Sequence, residues 1–159
     1  MKLILCAALC FCIQFSFAQK LDINSLEKLL DAPLGAADTL LRKYKFNLSD
    51  KETDKRYINY YYTSYERKDL VNQLLRSLSL MDIYDGADTS RLIQYRTYDV
   101  KEEEDLQMQL IARGYTLFSK TANNFVYKNE NYTITNKITI KTAKGGTKPV
   151  TAYEFELGR

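Results

Sequence analysis

The stretch RYINYYYTSY, residues 56–65, carries tyrosine at five of its ten positions. Side chains of a β-strand point alternately to its two faces, so the stretch divides into two sets. One set is Ile58, Tyr60, Tyr62 and Ser64. The opposite set is Tyr57, Asn59, Tyr61, Thr63 and Tyr65. The isoleucine indicates that the first set faces the core, which leaves three tyrosines on the solvated face of the strand.

Two interpretations of this solvated face remain open. Tyrosine has a high strand propensity and stabilises cross-strand pairs, which gives it a purely structural role. Tyrosine and arginine are also enriched among interface anchors, and the segment RLIQYRTYD can present further polar and aromatic groups on one face. The candidate binding residues are therefore Tyr57, Asn59, Tyr61, Thr63, Tyr65, Gln94, Arg96 and Tyr98. They suit a protein partner or, through ring stacking, a glycan.

Four strands are predicted in the first part of the chain. Their segments are KFNLS (45–49), RYINYYYTSY (56–65), RSLSLMDIY (76–84) and SRLIQYRTYD (90–99). The polar segments DKETDK and DGADT between them are typical of turns. Residues 69–75, DLVNQLL, fit a loop, a helical turn or a lead-in to the third strand.

Helices are predicted ahead of these strands. Asn24, followed three residues later by Glu27, fits a reciprocal capping box at the start of a short helix. Pro33 and Gly35 interrupt that helix, and a second one is predicted through residues 36–44.

A second cycle begins at Asp99, which is predicted to cap a helix with Glu102 at its third position and Gly114 at its end. The acidic run 101–105 is expected to favour the positive end of this helix, and its side chains are expected to point in different directions around the turn. Four more strand segments follow: YTLFS (115–119), NFVYK (124–128), NYTITNKITIKT (131–142) and TAYEFEL (151–157). Gly145 and Gly146 are predicted to turn the last hairpin.

Helix plus four strands thus occurs twice, with a period of roughly seventy residues. We predict an α+β fold in which two such repeats form a largely antiparallel sheet with the helices packed on one face. The expected organisation is a signal peptide at 1–18, a first repeat at 19–98 and a second repeat at 99–159, the two repeats making one compact domain.

This order of elements resembles the β-lactamase inhibitor protein fold, in which a helical element and four antiparallel strands are repeated to form a concave sheet. It is also similar to periplasmic domains of small outer-membrane assembly lipoproteins. The resemblance covers the mature chain at the level of topology and implies protein binding, with no functional residues carried over. The disulfides of the inhibitor family are missing.

The leader MKLILCAALCFCIQFSFAQK predicts export. One lysine precedes an apolar run, and Ser16 and Ala18 occupy the small-residue positions before a cleavage site at Gln19. The run is shorter than a membrane span, so no span is expected after cleavage. All three cysteines, Cys6, Cys10 and Cys12, lie in the leader, and the mature chain has none for disulfides.

Histidine is absent from all 159 residues. Without histidine, or cysteine in the mature chain, there can be no Ser-His-Asp triad, Cys-His dyad or familiar zinc site. The formal charge of +3 is too small and too evenly spread for a nucleic-acid footprint. Asp82, Asp85 and Asp88 do not match a calcium loop and fit a turn. We therefore predict no catalytic residue, cofactor or metal.

The sequence favours an exported, non-enzymatic protein, periplasmic or extracellular, that holds a protein partner on its tyrosine-rich sheet face. A glycan-binding module is the alternative from another class. A carboxylate-based hydrolase would need two acids at catalytic spacing, and the sequence contains no recognisable pair of this kind.

Overall fold

The computed structural model describes residues 20–68, 71–142 and 149–159. The helices of this part of the chain are α1 (Ile23–Asp31), α2 (Leu34–Lys43) and α3 (Val100–Ala112). Its strands are β1 (Asn47–Thr53), β2 (Tyr57–Lys68), β3 (Val71–Asp85), β4 (Asp88–Thr97), β5 (Thr116–Lys120), β6 (Asn124–Lys128), β7 (Thr133–Thr142) and β8 (Pro149–Gly158). The predicted signal peptide and the Gly145–Gly146 turn lie outside the described residues. Each described helix is too short or too polar to cross a membrane.

The eight strands form a single open sheet in the order β1-β2-β3-β4-β8-β7-β6-β5, and every neighbouring pair is antiparallel. Each repeat is a meander of four strands. Its last strand lies at the centre of the sheet and its first strand forms an outer edge. The two repeats join where Tyr95 of β4 pairs with Phe155 of β8. The predicted α+β class and antiparallel sheet are confirmed.

The helices pack on one face of the sheet, and the core lies between them. Tyr60 and Tyr62 of β2 are 8% and 2% exposed, as the alternation around Ile58 predicts. The other large buried side chains include Leu26, Leu29, Leu41, Leu78, Leu80, Ile93, Tyr95, Leu106, Leu110, Phe155 and Leu157. The second face of the sheet carries the opposite set of β2 side chains.

The helix exits repeat the same local structure. Lys45 and Gly114 adopt φ angles of 63° and 79°, the left-handed conformation that ends many helices. The aromatic residue that follows each of them points into the core. Its amide donates a hydrogen bond to the carbonyl five residues earlier, as Phe46 N does to Leu41 O at 3.1 Å. Tyr115 N to Leu110 O, at 3.0 Å, is the counterpart.

A β-bulge follows in each outer strand. The register shifts between Leu48 and Asp50 in β1, and between Leu117 and Ser119 in β5. The bulged residues, Ser49 and Phe118, stand at the same distance from their helix ends. The repeat therefore extends from the order of elements to the hydrogen bonding of the chain. Bulges in edge strands also disfavour pairing with another sheet.

The start of α1 differs from the prediction. Asp22 is the N-cap, and its carboxylate accepts the Ser25 amide at 2.7 Å. Asn24 lies inside the helix. Glu27 does not reach back to the helix start, because its buried carboxylate accepts Arg113 and the Tyr115 hydroxyl from the second repeat. The capping-box interpretation of Asn24 and Glu27 was therefore wrong. Asp99 caps α3 as predicted.

A second buried carboxylate makes the reciprocal connection. Glu102 of α3 is 1% exposed and accepts groups from the first repeat: Arg76 Nε at 2.8 Å, the Tyr95 hydroxyl at 2.7 Å and Thr97 Oγ1 at 2.8 Å. Glu103 is also buried and accepts Asn136 Nδ2 at 2.7 Å. The acidic run at the start of α3 thus serves packing between repeats as well as the helix dipole.

Several strands are longer than predicted, and β1 and β3 extend into segments that were not predicted as strand. The segment 50–53 was predicted as a turn, but it continues β1, where Lys51 pairs with Tyr60 and Glu52 with Asn59. β3 begins at Val71, so most of the undecided segment 69–75 is strand. Long-range pairing with β2 supplies the hydrogen bonds that make these polar residues extended.

Candidate functional site

The face of the sheet opposite the helices holds the predicted binding residues. The antiparallel register places β2 and β4 on either side of β3, with their open-face side chains in two cross-strand rows. The rows are Tyr61–Ser79–Gln94 and Thr63–Ser77–Arg96. The two predicted segments, 56–65 and 90–99, therefore present their candidate side chains on the same face, and serines of β3 lie between them.

A shallow depression of about 600 Å³ lies on this face. Small side chains on β3 leave space between Tyr61 of β2 and Gln94 of β4. The outer wall comes from β1, the edge strand. The side chains that line the depression as a whole include Ser49, Asp50, Glu52, Tyr61, Thr63, Ser77, Ser79 and Gln94. Most of the side chains that line this concave surface are polar, and Tyr61 supplies an aromatic side chain on one wall.

Two of the predicted tyrosines are fixed by one carboxylate. The Tyr57 hydroxyl donates to Glu52 Oε1 at 2.7 Å, and the Tyr61 hydroxyl donates to Glu52 Oε2 at 2.9 Å. Glu52 lies on the neighbouring strand opposite Asn59, midway between the two tyrosines. The pKa of Tyr57 and that of Tyr61 are both raised above the ordinary value. The larger cause is the hydrogen bond to Glu52, and the smaller is partial desolvation. Both hydroxyls therefore stay protonated as donors at neutral pH.

Asn59 occupies the floor between these tyrosines. It is 3% exposed although it lies on the open face, and its Oδ1 accepts the Ser79 hydroxyl at 2.6 Å. This hydrogen bond ties β2 to β3 below the tyrosine side chains. Asn59 thus supports the surface, and only a small part of it could touch a ligand.

β4 is connected to β8 at the other side of the depression. Gln94 Nε2 donates to Glu156 Oε2 at 3.0 Å, and Arg96 forms an ion pair with Glu154 at 2.7 Å. The predicted arginine anchor is therefore already paired within the sheet, on a side chain that is partly exposed.

Tyr65 and Tyr98 lie away from this arrangement. Tyr65 is 53% exposed, and it follows a register shift in the pairing of β2 with β3. Tyr98 comes after the last residue of β4 and is half-buried. Neither is among the described residues that line the depression. Six of the eight candidate residues therefore share the open face of β2 and β4, and three of them, Tyr61, Thr63 and Gln94, line the depression.

Charge is unevenly distributed along β1. Within the described residues, Asp50 and Glu52 take part in no ion pair. The intervening Lys51 points to the helix-bearing face, where its Nζ lies 5.3 Å from the centre of the Tyr60 ring. The wall formed by β1 is therefore acidic on the open side.

Three residues of the site, Glu52, Ser77 and Ser79, were not predicted from the sequence. Glu52 was placed in a turn because DKETDK is charged and contains no apolar alternation. The serines belong to a correctly predicted strand, and their alternation with Leu78 and Leu80 was the available signal for their face. What sequence could not supply is the register that sets them beside Tyr61 and Thr63.

The described residues contain no group of three His, Cys, Asp or Glu side chains placed to hold a metal ion. Comparison of the chain with protein-family models, with curated proteins and with solved structures finds no match.

Proposed function

We propose that this chain is an exported, non-enzymatic binding protein, periplasmic or extracellular, that engages a protein partner through the open face of β2, β3 and β4. The observation that carries the proposal is the pair Tyr57 and Tyr61, both held by Glu52, with Tyr61 and Glu52 lining an uncovered depression. Tyrosine is frequent among interface anchors, and a side chain already fixed loses little conformational entropy on binding.

The shape of the face supports a macromolecular partner. The sheet offers three neighbouring strands with small hydroxyl side chains between larger groups, which suits a protruding segment of a folded protein. The resemblance to the β-lactamase inhibitor protein fold favours the same kind of partner. Inhibition of a secreted enzyme and a role in envelope assembly are two forms that this binding could take.

Export rests on the leader and has its own test. Expression of the full chain in its source organism, followed by cell fractionation and N-terminal sequencing, should find a protein outside the cytoplasm that begins at Gln19. A cytoplasmic protein that retains Met1 would contradict export.

Partner binding is tested with the mature chain and two matched variants. Thr63→Arg places a long side chain in the depression, whereas Met108→Arg places the same side chain on the exposed side of α3, where Met108 is 61% exposed. Affinity capture from the envelope of the source organism should yield a protein retained by the wild type and by Met108→Arg, and lost by Thr63→Arg. Calorimetric titration of the purified partner then confirms direct binding.

A protein captured equally by all three chains would mean that the open face is not the interface. The glycan alternative is favoured by the hydroxyl and carboxylate lining of the depression. It predicts saturable quenching of tyrosine fluorescence by an oligosaccharide, and that quenching should be lost in Thr63→Arg. A flat titration across a broad oligosaccharide panel would remove this alternative.

A further inference from the structure

We infer that the protein partner presents an arginine side chain to Glu52. The inference rests on the proposed function and names the chemistry of the group that the open face receives. It depends on the hydrogen bonding of Glu52, the charge around it and its place at the wall of the depression.

The carboxylate of Glu52 is held in place but keeps free hydrogen-bond acceptor positions. A carboxylate offers about four lone-pair positions, and the hydroxyls of Tyr57 and Tyr61 occupy one on each oxygen. The side chain remains exposed on the open face. Its remaining positions can therefore accept donors from a second molecule, and the two hydroxyl donors have already oriented it.

The electrostatic surroundings select a cation. Asp50 lies on the same side of β1, and neither acid has an ion-pair partner among the described residues. Lys51 cannot reach round its own strand while it lies over Tyr60. Glu154, which lies on the same face of the sheet, is by contrast already paired with Arg96. An approaching cation thus finds unpaired negative charge at β1, which gives the complementarity that protein interfaces use for orientation.

The geometry favours arginine over lysine. A guanidinium donates through a planar fork that matches the two oxygens of a carboxylate, and it stacks on aromatic rings. Glu52 is flanked by two tyrosines on β2, so a guanidinium that reaches the carboxylate also comes close to aromatic side chains. An ammonium group would make the charge contact but would gain less from the rings.

The direct test uses a short peptide as the probe. Amide chemical shifts of the mature chain are followed by NMR during titration with tri-arginine, and separately with tri-citrulline, which has the same shape without the charge. We expect tri-arginine to shift the amides of β1 and β2 around Glu52, and tri-citrulline to leave them unchanged. Glu52→Gln should weaken the tri-arginine interaction roughly fivefold, the scale of an exposed ion pair with an aromatic contribution.

Glu130→Gln is the matched control, because it removes one charge from an exposed turn outside the depression. Its affinity for tri-arginine should equal that of the wild type. Equal losses in Glu52→Gln and Glu130→Gln would show a general charge effect and overturn the inference, as would shifts at β1 and β2 with tri-citrulline or no shifts with tri-arginine.

Failure of this inference differs from failure of the proposed function. If Thr63→Arg abolishes capture of the partner while Glu52→Gln leaves its affinity unchanged, the face binds a protein without a cation at Glu52. If neither Thr63→Arg nor Glu52→Gln affects capture, the open face is not the interface at all. A roughly fivefold loss of partner affinity in Glu52→Gln, with none in Glu130→Gln, supports both.

Discussion

The two repeats share their framework and differ on their open faces. Both end a helix with a left-handed residue, bury the next aromatic side chain and place a bulge in the outer strand. β2 of the first repeat has 12 residues, with Tyr57 and Tyr61 on its open face. Its counterpart β6 has five residues, and Val126 and Lys128 point the same way.

This difference separates what the fold needs from what it does not. Features found in both repeats, such as the buried aromatic residues Phe46 and Tyr115, hold the sheet against the helices. The tyrosines of the first open face have no equivalent among the described open-face residues of the second repeat, although both faces belong to one continuous sheet. Strand formation alone therefore does not require them, which favours a function on the first half of the face.

The largest effect should come from the buried carboxylates that connect the repeats. Glu102→Ala leaves Arg76 buried beside an empty site, and removal of one partner from a buried pair costs about 3–5 kcal/mol. Glu27→Ala should cost less, about 1–3 kcal/mol, because its partner Arg113 is 39% exposed and can be solvated. Urea denaturation measures both. A cost for Glu27→Ala equal to that of Glu102→Ala would show that the two connections are equivalent.

The helix exits should respond in opposite directions. Gly114→Ala introduces a side chain at a φ of 79° and should lower the free energy of unfolding by about 1–2 kcal/mol. Lys45→Gly removes a side chain from a φ of 63° and should have a smaller effect, a gain of about 0.5 kcal/mol after the entropy of the unfolded glycine is included. Thermal denaturation compares them. Destabilisation by both changes would show that the exits are not equivalent in backbone strain.

Alkaline pH distinguishes the buried tyrosines from those of the open face. Burial, then the neighbouring Glu102, raises the pKa of Tyr95 well above its ordinary value. Below about pH 10 the hydroxyl is protonated in both the folded and the unfolded chain, so its contribution to stability is fully present. Above that pH only the unfolded form releases the proton, and the free energy of unfolding should fall as the pH rises.

Tyr95→Phe should make this alkaline fall less steep, and Tyr57→Phe should have the smaller effect, because the pKa of Tyr57 is raised less than that of the buried Tyr95. Denaturation at a series of pH values between 8 and 11, roughly the range over which free tyrosine titrates, measures the slopes. An unchanged slope in Tyr95→Phe would contradict the assignment of the effect to that residue.

The smallest effect on stability is expected for the double variant Tyr57→Phe, Tyr61→Phe. It keeps both rings but removes the two hydroxyl donors to Glu52. The melting temperature should stay at the wild-type value, while affinity for the partner should fall because Glu52 is no longer held in place. A drop in melting temperature comparable to that of Gly114→Ala would assign these hydroxyls to the framework instead.

Sequence patterns predicted the framework well where the signal is local. The segment 124–128 matches β6, Asp99 caps α3, and Gly114 ends it. Alternation around Ile58 predicted which tyrosines are buried. These features depend on neighbouring residues, whose spacing is visible along the chain.

Features that depend on distant residues were not predictable in this way. Glu27 and Glu102 lie at helix starts, where acidic residues are expected to be solvated, yet tyrosines and arginines of the opposite repeat bury them. Glu52 entered the candidate site only because the register of β1 against β2 sets it between two tyrosines. A strand register is decided by long-range pairing, and no local pattern in DKETDK encodes it.

Site-specific photo-crosslinking in the source organism compares the two halves of the open face. A photoreactive phenylalanine analogue replaces Gln94 in one chain and Val126 in another. We expect a discrete adduct with one partner protein from position 94 and none from position 126. Adducts of equal yield from both positions, or an adduct from position 126 alone, would contradict the claim that the first repeat carries the binding face.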